Sequence, residues 1–137
     1  MQKYVLGFLF DNERDHVVLI RKTKPEWMVG QLNGVGGKVN EHEHKDDAMV
    51  REFQEETGVT VVGWEPFATL SAPNYRIHCY KAFSTDAINN VHTTTEEEVE
   101  VIPLIKLKLY TLVCSVEWLV PLALDDNAYY TDTEVNK

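Results

Sequence analysis

Three glutamates carry the most chemical information in the chain. Glu52, Glu55 and Glu56 stand at i, i+3 and i+4, a spacing that puts three carboxylates on one face of a helix. Their surroundings support that helix. A glycine-rich turn comes first, then a run of helix-forming composition, and Thr57-Gly58 supplies the stop. Val50 and Phe53 fall on a different face, where they can dock against a core. Like charges at these spacings destabilise an isolated helix by a few tenths of a kcal/mol per pair, so the grouping predicts a neutralising partner. A hard divalent cation fits, because Mg²⁺ prefers carboxylate oxygens together with water and substrate phosphates.

The stretch just before the helix fits the same chemistry. Asn33-Gly34-Val35-Gly36-Gly37-Lys38-Val39 can offer main-chain groups to metal and phosphate, since glycine allows positive φ and close backbone approach. Lys38 reads equally as a phosphate contact and as a solvated lysine. Arg51 stands four residues before Glu55 and can pair with it along the helix.

Gly37, Glu43, Arg51, Glu52, Phe53, Glu55, Glu56, Gly58 and Val59 occur without a gap in a pattern that resembles the signature of the Nudix (MutT-like) hydrolase family. An acidic solvated helix that matches by accident is the bland alternative. The resemblance implies an α/β fold, an α/β/α sandwich with a central mixed sheet, formed by one domain over residues 1–137. It also implies an enzyme that uses Mg²⁺ (or Mn²⁺) and metal-activated water to break the pyrophosphate bond of a nucleoside polyphosphate. Glu52, Glu55, Glu56 and the Gly36 carbonyl are then the metal ligands. Glu52 or a later loop acid is the base, Arg51 orients the carboxylates, and Glu43 is a structural or outer-shell acid. Within the acidic run before the last strand, Glu98 is the first choice of loop acid, ahead of Glu97 and Glu100.

Substrate contacts follow from the same resemblance. Arg21 stands where family members often carry a basic residue near the phosphates, although a solvated strand end explains it as simply. Trp27 could stack on a base, but the plainer role is to anchor its loop. Leu32-Asn33-Gly34 ahead of Val35-Gly36-Gly37-Lys38 resembles members that remove oxidised purine nucleoside triphosphates, where the Asn contacts the base. The leading expectation is therefore hydrolysis of a (d)NTP or oxidised purine (d)NTP to the monophosphate and pyrophosphate. Those members also carry Trp-Pro-Asp-Asp before the last helix. Here Thr111-Leu112-Val113-Cys114-Ser115 stands in its place, and Asp125-Asp126 comes too late to substitute. A second departure is His42-Glu43-His44. Histidine is a poorer N-cap than Ser, Thr or Asp, although Asp46 and Asp47 suit the helix dipole. The two histidines read as surface residues at a turn rather than a transition-metal site.

Composition sets the outer limits. At 137 residues, 44% apolar and 26% charged, the chain can bury one core and is neither disordered nor membrane-spanning. No signal-like start is evident, and two cysteines provide neither a disulfide framework nor metal spacing, so a reducing, cytoplasmic setting is expected. A net charge of −9 argues against a polymeric nucleic-acid partner. It leaves room for a small polyphosphate, because bound cations invert the local field. No membrane partner is expected, and a homodimer stays open.

The elements needed to position these residues follow in order. Tyr4–Phe10 is a continuous apolar run that reads as a buried strand, joined through a turn at 11–15 to a second strand at His16–Lys22. Residues 23–33 form a loop punctuated by Pro25 and Gly30. After the acidic helix come a strand-like stretch over 59–70, broken at Gly63 and Pro66, a turn at 71–74 and a strand at Tyr75–Phe83. Pro73 and Tyr75 need no role beyond that turn. Residues 84–95 are polar loop, and the acidic run at 96–100 enters a further strand. Residues 115–124 read as a helix with Ser115 as N-cap and Pro121 forcing a kink or a late start; beyond Asp125 the tail is polar and expected to fray.

Two rivals remain. One, within the same class, is a dinucleoside-polyphosphate, ADP-ribose or nucleotide-sugar hydrolase. The other is a non-catalytic Nudix module that only binds nucleotide, although such modules usually lose acids from the signature and none is lost here. A calcium site is disfavoured, since the loop lacks the alternating ligand spacing.

Overall fold

The computed structural model describes residues 1–128 and 131–134. A mixed sheet is built from β1 (Gln2–Phe10), β2 (His16–Arg21), β3 (Leu32–Asn33), β4 (Val35–Lys38), β5 (Glu65–Ala72), β6 (Tyr75–Phe83), β7 (Val99–Pro103) and β8 (Thr131–Glu134). Its order is β3-β2-β1-β6-β5-β8, with β4 also paired to β1 and β7 to β2. The β1–β6 and β5–β8 pairs are parallel and the rest antiparallel. Among the described residues there are three helices, α1 (Lys45–Thr57), α2 (Thr85–Ile88) and α3 (Val116–Leu124), with 3₁₀ segments at Glu26–Met28 and Leu104–Leu109.

The apolar run of β1 is central because both its faces are covered. Leu6, Phe8 and Phe10 join Phe67, Leu70, Leu119 and Val120 on the α3 side. Val5 and Leu9 join Met49, Phe53, Trp64 and Tyr80 on the α1 side. β2 alternates in the same way, with Val17 and Leu19 facing one core and Val18 and Ile20 the other. The α/β/α sandwich expected from the sequence is the one observed.

Several local expectations need correction. The strand expected from residue 59 begins only at Glu65; before it Gly63 has φ 78°, and the β5–β6 register shifts between Pro66 and Ala68. Residues 85–88 form a helical turn, not plain loop, because the Ser84 side chain accepts from the Ala87 N–H and caps it. Ser115 is already in the αR region and makes no side-chain cap bond; its carbonyl receives the Leu119 N–H. Pro121 lies inside α3, where it withholds the N–H that would reach the carbonyl four residues back. The tail expected to fray contributes β8, which runs parallel to β5; residues 129–130 and 135–137 lie outside the described residues.

α1 is the element the site depends on. Ala48, Met49 and Phe53 are fully buried, and the Phe53 ring packs 5.1 Å from that of Trp64. The buried Tyr80 donates its hydroxyl to Asp46 in the first turn at 2.6 Å. Phe53→Ala should therefore lower unfolding stability by about 3–5 kcal/mol, measured by denaturant titration; a loss below about 1 kcal/mol would mean that α1 is not docked through this side chain.

Candidate active site

His44 does cap α1, despite its poor standing as a capping residue: Nδ1 accepts the Asp46 N–H at 3.1 Å. At the other end Gly58 adopts φ 78° and its N–H reaches the Gln54 carbonyl, as a left-handed C-cap requires. The helix is thus bounded where the sequence predicts.

Arg51 organises the acids. It donates through Nε and Nη2 to both oxygens of Glu43, at 2.8 and 2.9 Å. Nη1 reaches Glu52 at 2.9 Å and Glu55 at 3.1 Å. Nη2 also donates to the Lys38 carbonyl at 2.9 Å, tying the helix to the end of β4. The expected Arg51–Glu55 pair is present, and two further carboxylates share the same guanidinium. The Arg51 hydrogen bonds, assisted by the Asn40 N–H, hold Glu43 below the usual carboxylate range. Glu43 is therefore Arg51's bidentate partner.

Glu52 faces the glycine strand. A Cβ built on Gly37 would collide with its carboxylate, so a side chain at that position would displace Glu52 from where it sits. Gly36 sits beside it in β4, opposite Leu6 of β1. Burial raises the Glu52 pKa to about 7 against the pull of Arg51, with Glu55 adding to the rise. Burial also raises Glu56; the Thr95 hydroxyl opposes it, the charge of Glu97 adds to it, and Lys22 opposes it.

Glu97, rather than Glu98, is the inward-facing loop acid. It is 5% exposed, and accepts from Lys22 Nζ at 3.0 Å, the Thr23 N–H at 2.7 Å and the Thr23 hydroxyl at 3.2 Å. Burial pushes its pKa up, but the Thr23 N–H and Lys22 outweigh that and leave it lowered. Glu98 is exposed, and its carbonyl accepts from the Arg21 N–H. Glu100 is taken by Arg21, with contacts of 2.6 and 3.1 Å.

The expected substrate contacts are spread more widely. Arg21 is no free strand end: besides Glu100 it donates to the Gly30 carbonyl at 3.0 Å. Asn33 accepts the Gly34 N–H on Oδ1 at 2.8 Å. The Lys38 side chain is exposed next to the acids. Trp27 is 65% exposed and does not anchor its loop; the adjacent Met28 takes that position against the core. Sequence reasoning passed over Lys22, Thr23 and Thr95. The threonine triplet at 93–95 was the one available signal, since three hydroxyls in succession suit a segment that fastens to exposed backbone groups.

The donor set fits a hard divalent ion by its chemistry. Every side-chain donor is a carboxylate oxygen, and both Glu52 and Glu56 are raised by burial, which a bound cation would offset. Among the described residues, however, no three acidic, histidine or cysteine side chains are gathered closely enough to hold a metal ion. Arg51 bridges Glu52 Oε1 and the Glu55 carboxylate through one nitrogen. A separate groove of about 580 Å³ opens between the Leu104–Leu109 segment and α3. It is lined mainly by Leu104, Leu107, Tyr110, Leu112 and Val120, and it contains none of the clustered acids.

Comparison with known proteins agrees with this geometry. Residues 1–120 match the model of the NUDIX domain. A mouse oxidized purine nucleoside triphosphate hydrolase is 34% identical over 100 residues, which is 69% of this chain and 60% of that protein. The solved MutT protein of Bacillus halodurans superposes with a TM-score of 0.78 at 20% identity, covering 99% of this chain and 91% of its own. The NUDIX domain of Shewanella oneidensis NrtR, solved with ADP ribose, gives 0.72 at 20% identity, covering 89% and 85%. At these identities the two structures establish the likeness of fold. No helix among the described residues is long and apolar enough to cross a membrane.

The Glu52 shift has a consequence for stability. A carboxyl whose pKa is about 7 when folded, against 4.5 for an ordinary glutamate, binds more protons in the native than in the unfolded state between those values. Its contribution therefore favours folding at low pH and is lost as pH rises through that window. In chelator-treated protein, Glu52→Gln should be less destabilised than the parent on going from pH 5 to pH 8, measured by thermal melts. Identical pH slopes would show that Glu52 is not held protonated by its surroundings.

Proposed function

Because the chain belongs to the NUDIX family, we propose that it hydrolyses the pyrophosphate bond of a nucleoside polyphosphate, with a (d)NTP or oxidised purine (d)NTP giving the monophosphate and pyrophosphate. The observation that carries this reading is the set of acids on α1. The signature is complete, and Glu52 is set against Gly37 and bridged by Arg51 to Glu55. The choice of substrate is supported by the likeness to the mouse enzyme and by Asn33 ahead of the glycine strand.

Glu52, Glu55 and Glu56, with the Gly36 carbonyl, would hold Mg²⁺ or Mn²⁺. When bound, the ion neutralises phosphate charge and lowers the pKa of water. The chain's own groups do the rest. Glu52, set against the glycine strand, is the first choice to accept a proton from the attacking water. The water oxygen bonds to phosphorus as the bridging P–O bond breaks, and the pyrophosphate leaves with that bond's electron pair. Arg51 orients the carboxylates. Glu97 takes the part of loop acid first assigned to Glu98, because it faces inward next to the Thr95–Glu56 contact. Lys38 is the exposed cation nearest in sequence to the acids and serves the phosphates, while Arg21 must first leave Glu100 to do so. Trp27 is exposed and free to stack on a base.

A screen of dNTPs, oxidised dNTPs, diadenosine polyphosphates and ADP-ribose with Mg²⁺ and product identification tests the reading. Monophosphate and pyrophosphate from a triphosphate is the expected result. Products from ADP-ribose or a dinucleoside polyphosphate alone would move the chain to another substrate class, and no turnover at all would favour a binding module. Glu56→Gln should lower kcat by about two orders of magnitude or more with an unchanged melt; hydrolysis at the parent rate would remove Glu56 from the metal set.

A further inference from the structure

We infer that Thr95 is a positioning residue that sets the helix acid Glu56 and the loop acid Glu97 at a fixed separation. The inference rests on the proposed role of these acids and assigns a task to a residue outside the signature.

The segment 92–99 is fastened to the end of α1 at successive points. The His92 N–H donates to the Thr57 carbonyl at 3.1 Å. The Thr94 hydroxyl donates to the Glu55 carbonyl at 2.6 Å, one of the last-turn carbonyls that a helix leaves unpaired. Thr93 Oγ1 accepts the Val99 N–H at 3.0 Å and closes the segment on itself. These contacts hold backbone. Thr95 differs because it also reaches a carboxylate: its hydroxyl donates to Glu56 Oε2 at 3.3 Å and accepts the backbone N–H of Glu97 at 3.1 Å. One hydroxyl can donate and accept at once, so this oxygen ties the Glu56 carboxylate to the backbone that carries Glu97. Beyond it, Glu97 is held by Lys22 and Thr23 at the end of β2. The path Glu56–Thr95–Glu97–Thr23 thus runs from the helix to the residues just past β2, with Thr95 as an exposed link.

A hydroxyl at this point limits the rotamers of Glu56 and keeps the Glu97 amide from drifting. Pre-set acids bind a cation more tightly than acids that must first be ordered. Thr95 touches neither substrate nor metal in this role, and it acts through Glu56 and Glu97.

Thr95→Val keeps the shape and removes the hydroxyl, and the exposed site makes misfolding a small risk. Mn²⁺ affinity, measured by calorimetry without substrate, should weaken about tenfold. Amide exchange at Glu97 should quicken by a similar factor. kcat should fall while KM for the nucleotide stays within about twofold, and Thr95→Ser should recover the Mn²⁺ affinity. Thr94→Val, which removes only a backbone contact, should weaken Mn²⁺ binding less than Thr95→Val does. Parent-like Mn²⁺ affinity and Glu97 exchange in Thr95→Val would overturn the inference, as would equal losses in Thr94→Val. Glu56→Gln in the same calorimetry separates the two levels. If it binds Mn²⁺ like the parent, the reading of the acids falls; if it loses binding while Thr95→Val does not, only the task given to Thr95 falls.

Discussion

Like charges gathered on one helical face repel, and the local structure of this protein is arranged around that constraint. Glu52, Glu55 and Glu56 project from α1, with Glu43 before them and Glu97 brought in from a distant loop. Arg51 offsets three of these acids with a single guanidinium. Lys22 and the Thr23 amide hold the fourth, Glu97, and the Thr95 hydroxyl reaches Glu56. The offset is deliberately uneven in its outcome: hydrogen bonds keep Glu43 and Glu97 charged, whereas burial raises Glu52 and Glu56. Glu52 and Glu56 are thus the acids whose charge the folded protein offsets least.

Rigidity for this arrangement comes from the sheet. β1 is covered on both faces, and α1 lies against it through Met49 and Phe53. Tyr80 reaches through that core to Asp46, and Arg51 ties the same helix to the Lys38 carbonyl. Gly37 then leaves room for the Glu52 carboxylate, because a side chain there would strike it. Packing and one buried hydroxyl fix the helix against the sheet. Local propensity has little part in this, since helices of this length gain most of their stability from tertiary contact.

The proposed polyanionic substrate is set against an acidic chain. With a net charge of −9, long-range fields do not favour a phosphate, so recognition must be local and must count the cation with the protein. The basic groups near the site are already engaged: Arg51 with the signature acids, Arg21 with Glu100 and Lys22 with Glu97. The Arg21 brace joins β2 to β7, and the Lys22 brace joins the residues just past β2 to the loop before β7. Lys38 and Trp27 differ from these groups in being exposed.

Much of this was legible in the chain because it depends on short-range rules. The spacing of Glu52, Glu55 and Glu56, the Gly58 stop, the apolar run of β1 and the Tyr75–Phe83 strand are statements about neighbours within a few residues, and backbone geometry makes them binding. What the order of residues could not decide was everything requiring two distant segments to meet. Glu97 and Glu98 are equivalent as letters, and only the pairing of β7 with β2 turns one toward Lys22 and the other to solvent. Trp27 and Met28 are both apolar neighbours, yet the core admits Met28 and leaves Trp27 exposed. Arg21 looked like a free cation until Glu100 came alongside from 79 residues away. The chain by itself determined that a helix would carry these acids; the packing of the sheet determined which charges face them, because burial and partnership are properties of the assembled molecule.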